Sequence, residues 1–106
     1  MKYALITGAS SGIGRCYTFE MARRGYGIIA VSNQQEALAT LSEEIRSTYG
    51  VEVVTMFTDL ATRDAAKSIF ESCRAQSLDV EVLICNAGML LFSTLVRTAP
   101  ERLHTI

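Results

Sequence analysis

Ile6-Thr7-Gly8-Ala9-Ser10-Ser11-Gly12-Ile13-Gly14 sets three glycines within seven residues, directly behind an apolar run. Glycine in a folded segment costs about 0.5–1 kcal/mol relative to alanine, so a cluster of them marks backbone that turns tightly or that something must approach closely. The surrounding residues decide between these uses.

Tyr3–Ile6, just before the glycines, is a short apolar strand. Ile13, Cys16, Tyr17 and Met21, just after them, recur at helical spacing, with Arg23-Arg24 in the last turn and Gly25 as the stop. The alternation then repeats. Residues 27–31 form a second strand, and Leu38, Leu41, Ile45 and Tyr49 stripe a second helix that ends at Gly50. Residues 51–57 form a third strand, in which Glu52 points to a partly exposed edge. Thr62 can cap a third helix that has Asp64 in its first turn and buries Ala66, Ile69, Phe70 and Cys73. Val82–Cys85, apolar on both faces, reads as a central fourth strand. Thr98-Ala99-Pro100-Glu101 reads as a capping box opening a fourth helix, which carries His104. Strands alternating with helices at these lengths imply right-handed βαβ units, a parallel sheet and one α/β domain over residues 1–106.

In this context the glycines lie between the first strand and the first helix of a βαβ series. A helix start offers unpaired N–H groups and about half a positive charge, which attract phosphate. Gly8 then serves the tight turn, Gly12 the approach of a pyrophosphate, and Gly14 the packing of helix on strand. The spacing is G-x-x-x-G-x-G, whereas the general dinucleotide fingerprint is G-x-G-x-x-G. Tight turns without a ligand use glycine too.

Three motifs in register resemble the short-chain dehydrogenase/reductase family. Thr7, Gly8, Gly12 and Gly14 match its T-G-x-x-x-G-x-G motif, with Ser10, Ser11 and Ile13 inside it. Asp59-Leu60, after the third strand, matches the acidic position that contacts the adenine ring in that family. Asn86-Ala87-Gly88, after the fourth strand, matches its N-A-G motif. The resemblance covers residues 3–106. It implies a Rossmann-type doubly wound parallel sheet in the order 3-2-1-4, truncated after the fourth strand. It also implies a nicotinamide cofactor and hydride transfer between an alcohol and a carbonyl substrate. Each position has a plainer alternative: Asp59 can cap the third helix, and Asn86 and Gly88 can simply form a turn. Met89–Phe92 reads as core first and as an apolar substrate wall second.

The end of the second strand discriminates between nicotinamide cofactors. An acid there accepts from the 2′-hydroxyl of NAD and repels the 2′-phosphate of NADP. This chain has Ser32-Asn33-Gln34-Gln35, with no acid before Glu36. Ser32 and Asn33 can both donate to a phosphate, so NADP is expected, with NAD as the second choice. No arginine stands at the strand end; Arg15, in the first helix, is the nearest candidate.

Composition excludes other classes. The 106 residues are 49% hydrophobic and 20% charged with net charge −1, which leaves no basic excess for nucleic acid. The apolar start is too short for a signal peptide or a membrane span. A soluble cytoplasmic protein with no membrane partner is therefore expected. Cys16, Cys73 and Cys85 are odd in number and widely spaced, so they read as small buried residues, and no metal site is indicated. His104 has no ligand partner at a metal spacing.

The resemblance also implies a catalytic serine and a Tyr-x-x-x-Lys pair. Tyr3, Tyr17, Tyr26 and Tyr49 are followed four places later by Thr7, Met21, Ala30 and Val53, so no such pair occurs in this chain. No catalytic residue is assigned within it; the machinery is expected beyond Ile106. Two readings stand: the cofactor-binding half of an oxidoreductase, or a non-catalytic nucleotide-binding module complete as it is. A homo-oligomer is also expected, because residues 82–85 would form a bare outer strand.

Overall fold

A computed structural model describes residues 1–10, 12–58, 64–85 and 104–105. Five strands and three helices alternate along them. They are β1 (Lys2–Thr7), α1 (Gly12–Arg23), β2 (Gly27–Ser32), α2 (Gln35–Tyr49), β3 (Val53–Phe57), α3 (Ala65–Ala75), β4 (Asp79–Ile84) and β5 (His104–Thr105). All strand pairs are parallel, in the order β3-β2-β1-β4-β5. The Rossmann-type order 3-2-1-4 is thus present, with one more strand outside it.

The alternation of side chains along each strand splits the core into two layers. Ala4 and Ile6 of β1, Ile28 and Ala30 of β2, and Val82 and Ile84 of β4 pack against Met21 and Ala22 of α1 and Leu38, Leu41 and Ile45 of α2. Tyr3, Leu5, Ile29, Val31 and Leu83 face the other way, onto Ala66, Ile69 and Cys73 of α3. Each fully buried Leu or Ile contributes about 1.5–3 kcal/mol of transfer free energy. These two layers therefore hold the C-terminal ends of β1, β2 and β4 at a common level.

Between β1 and β4 the register slips at Tyr3/Ala4, passing over Glu81. The Glu81 carboxylate meets Lys2 Nζ at 2.8 Å and accepts the Tyr26 hydroxyl at 3.3 Å, at the sheet end away from the glycines.

Several expectations need correction. The stripe Ile13–Cys16–Tyr17 of α1 is exposed, Ile13 by 65%. The helix buries Gly14, Thr18, Met21 and Ala22 instead, because small residues let it lie closer to the sheet. Cys16 is accordingly exposed, Cys85 is half-buried, and only Cys73 behaves as a buried residue. The third strand begins at Val53, which leaves Glu52 in the preceding loop, where it accepts the Tyr3 hydroxyl at 3.0 Å. The third helix begins at Ala65, with Asp64 in the capping position but making no side-chain cap bond; Thr62 lies outside the described residues. His104 is in β5, paired with Val82, and not in a helix. β4 is therefore not the outermost strand, which removes the premise of a bare β4 edge. The capping box at residues 98–101 and the apolar run 89–92 fall outside the described residues.

Candidate functional site

The C-terminal edge of the sheet gathers the glycine turn and the end of β2. Thr7 lies level with Val31, and Ser32 with Phe57. The chain runs outward from β1 through β2 to β3 and returns on the opposite side of β1 as β4. In such a sheet the change of direction leaves a crevice at the C-terminal strand ends, where ligands bind.

The turn leaving β1 has left-handed backbone at Gly8 (φ 63°) and Gly12 (φ 57°), a region costly for residues with a Cβ. A Cβ built on Gly12 would meet no atom within 4 Å, so this position opens to space. Gly14 is buried in the first turn of α1, and its carbonyl accepts the Thr18 hydroxyl at 2.8 Å. Thr7, ending β1, is fully buried. The first turn of α1 carries no acid, whereas that of α2 carries Glu36. The positive end of the α1 dipole is thus left for an anion.

Two contacts tie this turn to β2. Ala9 N–H donates to Val31 O at 3.1 Å. The hydroxyls of Ser10 and Ser32 lie 2.7 Å apart, and Ser32 Oγ also accepts the Gln34 N–H at 3.1 Å. The Ser32 carbonyl in turn accepts Thr58 N–H at 2.9 Å, which fixes the exit of β3. Ser32 is only 5% exposed, while Asn33 is exposed. Arg15 points elsewhere: its Nη2 holds both carboxylate oxygens of Glu44 at 3.0 and 2.8 Å, and its guanidinium lies over Phe19.

On the flank of α1 away from these α2 contacts, Gly12, Ile13, Cys16, Tyr17 and Glu20 line an open groove of about 590 Å³. Arg23 and Arg24 bond to the Glu20 carboxylate and hold its pKa down to about 2, so it stays charged across the ordinary pH range. At the end of β4, burial pushes the Cys85 thiol up.

Of the residues expected at the site, Thr7, Gly8, Ser10, Gly12, Ile13, Gly14, Ser32 and Asn33 come together at this sheet edge. Ser11, Asp59, Leu60, Asn86, Ala87 and Gly88 lie outside the described residues. Sequence reading passed over Ala9, whose backbone N–H ties the turn to β2, and Gln34, whose backbone N–H bonds the Ser32 hydroxyl; main-chain donors leave no residue-type signal. It also placed Ile13, Cys16 and Tyr17, which line the groove, in the apolar stripe of α1. Among the described residues no cluster of His, Cys, Asp or Glu could hold a metal ion.

Comparison with known proteins places this edge in a family. Residues 2–105 match the family described as short chain dehydrogenase. The chain is 39% identical to 17-beta-hydroxysteroid dehydrogenase type 3 of Rattus norvegicus, covering 84% of this chain and 28% of the rat protein. It is 42% identical to very-long-chain 3-oxoacyl-CoA reductase-B of Danio rerio, covering 83% and 28%. Among solved structures, L-sorbose reductase from Gluconobacter frateurii, complexed with NADPH and L-sorbose, superposes with a TM-score of 0.77. That protein is 33% identical, over 83% of this chain and 34% of its own. The chain therefore spans roughly a third or less of the length of these relatives.

These relatives overturn the cytoplasmic expectation, since the steroid dehydrogenase and the 3-oxoacyl-CoA reductases are membrane-associated enzymes of the endoplasmic reticulum. Composition misleads here because it reports only the solvent around a folded domain and carries no information on membrane association. Among the described residues no helix is long and apolar enough to cross a membrane. The match over residues 2–105 and the glycine turn at the sheet edge lead to one conclusion: the chain belongs to the short-chain dehydrogenase family.

Proposed function

We propose that residues 1–106 are the cofactor-binding portion of an oxidoreductase that transfers a hydride between NADP(H) and an alcohol or carbonyl substrate. The observation that carries this is the left-handed glycine turn opening onto an α1 start free of acids, at the level of the β2 end. Thr7, Gly8, Ser11, Gly12, Ile13 and Gly14 would hold the pyrophosphate, with Ser10 between it and the ribose at the β2 end, Asp59-Leu60 at the adenine and Asn86-Ala87-Gly88 beyond it. Asn33, exposed beside a strand end without a carboxylate, would face the 2′-phosphate. NADPH in the related L-sorbose reductase supports the choice of cofactor. The names of the curated relatives, a steroid dehydrogenase and a very-long-chain 3-oxoacyl-CoA reductase, support a large apolar ketone or alcohol as substrate.

The cofactor supplies the hydride. These residues would bind and orient it: the turn's N–H groups would meet its phosphates, and Ile13 lines the α1 groove with an apolar side chain. With no Tyr-x-x-x-Lys pair among them, the 106 residues alone are expected to turn over no substrate. A homo-oligomer belongs to the same proposal and is supported by Phe57, 60% exposed on the edge strand β3; sedimentation velocity checks it.

Titration of the purified chain with NADPH and NADH tests the cofactor. Tighter binding of NADPH is expected, and Asn33→Asp should reverse the preference by setting a carboxylate against the 2′-phosphate. Binding of neither nucleotide, or tighter binding of NADH by the unaltered chain, would reject the proposal.

A further inference from the structure

We infer that Ser32 is a positioning residue that acts through Ser10, orienting the Ser10 hydroxyl as a donor to the 2′-phosphate of NADP(H). This rests on the cofactor reading above and assigns the two serines different roles within it.

The direction of the hydrogen bonds follows from proton counting. Ser32 is 5% exposed, and its oxygen already accepts the Gln34 N–H. A buried hydroxyl proton needs an acceptor, and leaving one unmet is costly. Among the described residues the acceptor in reach is Ser10 Oγ, 2.7 Å away. Ser32 therefore donates to Ser10. A serine hydroxyl has one proton, so Ser10, having accepted, keeps its own proton free of the pair for another acceptor. Ser10 is half-buried and sits where the glycine turn touches the β2 end, between the proposed pyrophosphate and ribose positions. The chain Gln34 N–H to Ser32 to Ser10 runs in one sense, and each bond polarises the next. It ends on a donor, which gains more from a charged 2′-phosphate oxygen than from the neutral 2′-hydroxyl of NAD(H). Ser32 itself is too enclosed to touch the nucleotide.

The test is a titration of the 106-residue chain and its variants with NADPH and NADH, each variant's melting temperature being recorded alongside. Ser10→Ala should weaken NADPH about tenfold, the scale of one hydrogen bond to a charged group, and NADH by less than about twofold. Ser32→Ala should weaken NADPH about fivefold by releasing the Ser10 rotor, and Ser32→Thr, which keeps the hydroxyl, should recover most of that loss. The double variant Ser10→Ala/Ser32→Ala should bind no worse than Ser10→Ala, because Ser32 acts through Ser10. Additive losses, an unaffected Ser32→Ala, or an equal loss for NADH would each overturn the inference while leaving the cofactor reading standing. No binding of NADPH by the unaltered chain would remove both. Should Ser32→Ala fail to fold, the comparison of Ser10→Ala with Ser32→Thr across the two nucleotides still decides it: a Ser10→Ala loss shared by NADH overturns the inference.

Discussion

β2 and β3 are neighbours in one sheet and are nearly equally apolar, yet one is core and the other is surface. Every residue of GIIAVS in β2 is buried, whereas VVTMF in β3 runs from buried Val53 to Phe57 at 60% exposure. β2 is paired on both edges, with Ile28 and Ala30 under the α1–α2 layer and Ile29 and Val31 under α3. β3 ends the sheet, and its Val53 packs into the α1–α2 layer. The difference teaches that an apolar run specifies a strand, while its neighbours specify how much of it is dry. It also explains where the candidate site lies: Ser32 ends the fully enclosed strand, bonded to Ser10 and Gln34, one residue before exposed Asn33.

The largest test of that contrast is Ile29→Ala. Ile29 is fully buried, so the cavity should cost about 2–5 kcal/mol in denaturant unfolding; a loss below about 1 kcal/mol would break the comparison. Gly27→Ala comes next. A Cβ there would lie 2.6 Å from Tyr3 Cε2 and 2.7 Å from Cδ2, and the Tyr3 hydroxyl is engaged with Glu52. The ring has to move, at a cost of about 1–3 kcal/mol, measurable in the same unfolding assay.

A chemical reading sharpens the contrast further. Burial between α3 and the sheet raises the Cys73 thiol from 9.0 to about 11, while Cys16 is exposed on α1. Folding thus favours the protonated Cys73. The stability this contributes is complete below the unfolded value and is lost as pH rises through about 11. The unfolding midpoint should fall over that alkaline range, and Cys73→Val should flatten the fall. In the native protein a thiol reagent in mildly alkaline buffer should modify Cys16 first and reach Cys73 only after unfolding, as peptide mapping would record. The smallest effect is Phe57→Ser, expected to change stability by no more than about 0.5 kcal/mol because the ring is already largely in water.

The sequence by itself determined the features that depend on local geometry. Glycine spacing located the turn between β1 and α1, and the left-handed values at Gly8 and Gly12 are the conformation that spacing calls for. Apolar runs and helical periodicity located β1, β2, β4 and α2 to within a few residues, and their alternation implied a parallel sheet; the order 3-2-1-4 followed only from the family resemblance of the motifs. Tertiary structure alone decided which side of α1 faces the sheet, since Ile13, Cys16 and Tyr17 have the periodicity of a core stripe and yet line an open groove. It also decided that His104 pairs with Val82 in a fifth strand, that Arg15 goes to Glu44, and that Ser10 meets Ser32 across 22 positions of chain. Periodicity, capping and φ preference act over one turn or one strand, so residue order carries them. Burial and hydrogen-bond partnership are set by whichever element the fold brings alongside, and they exist only once the chain has closed on itself.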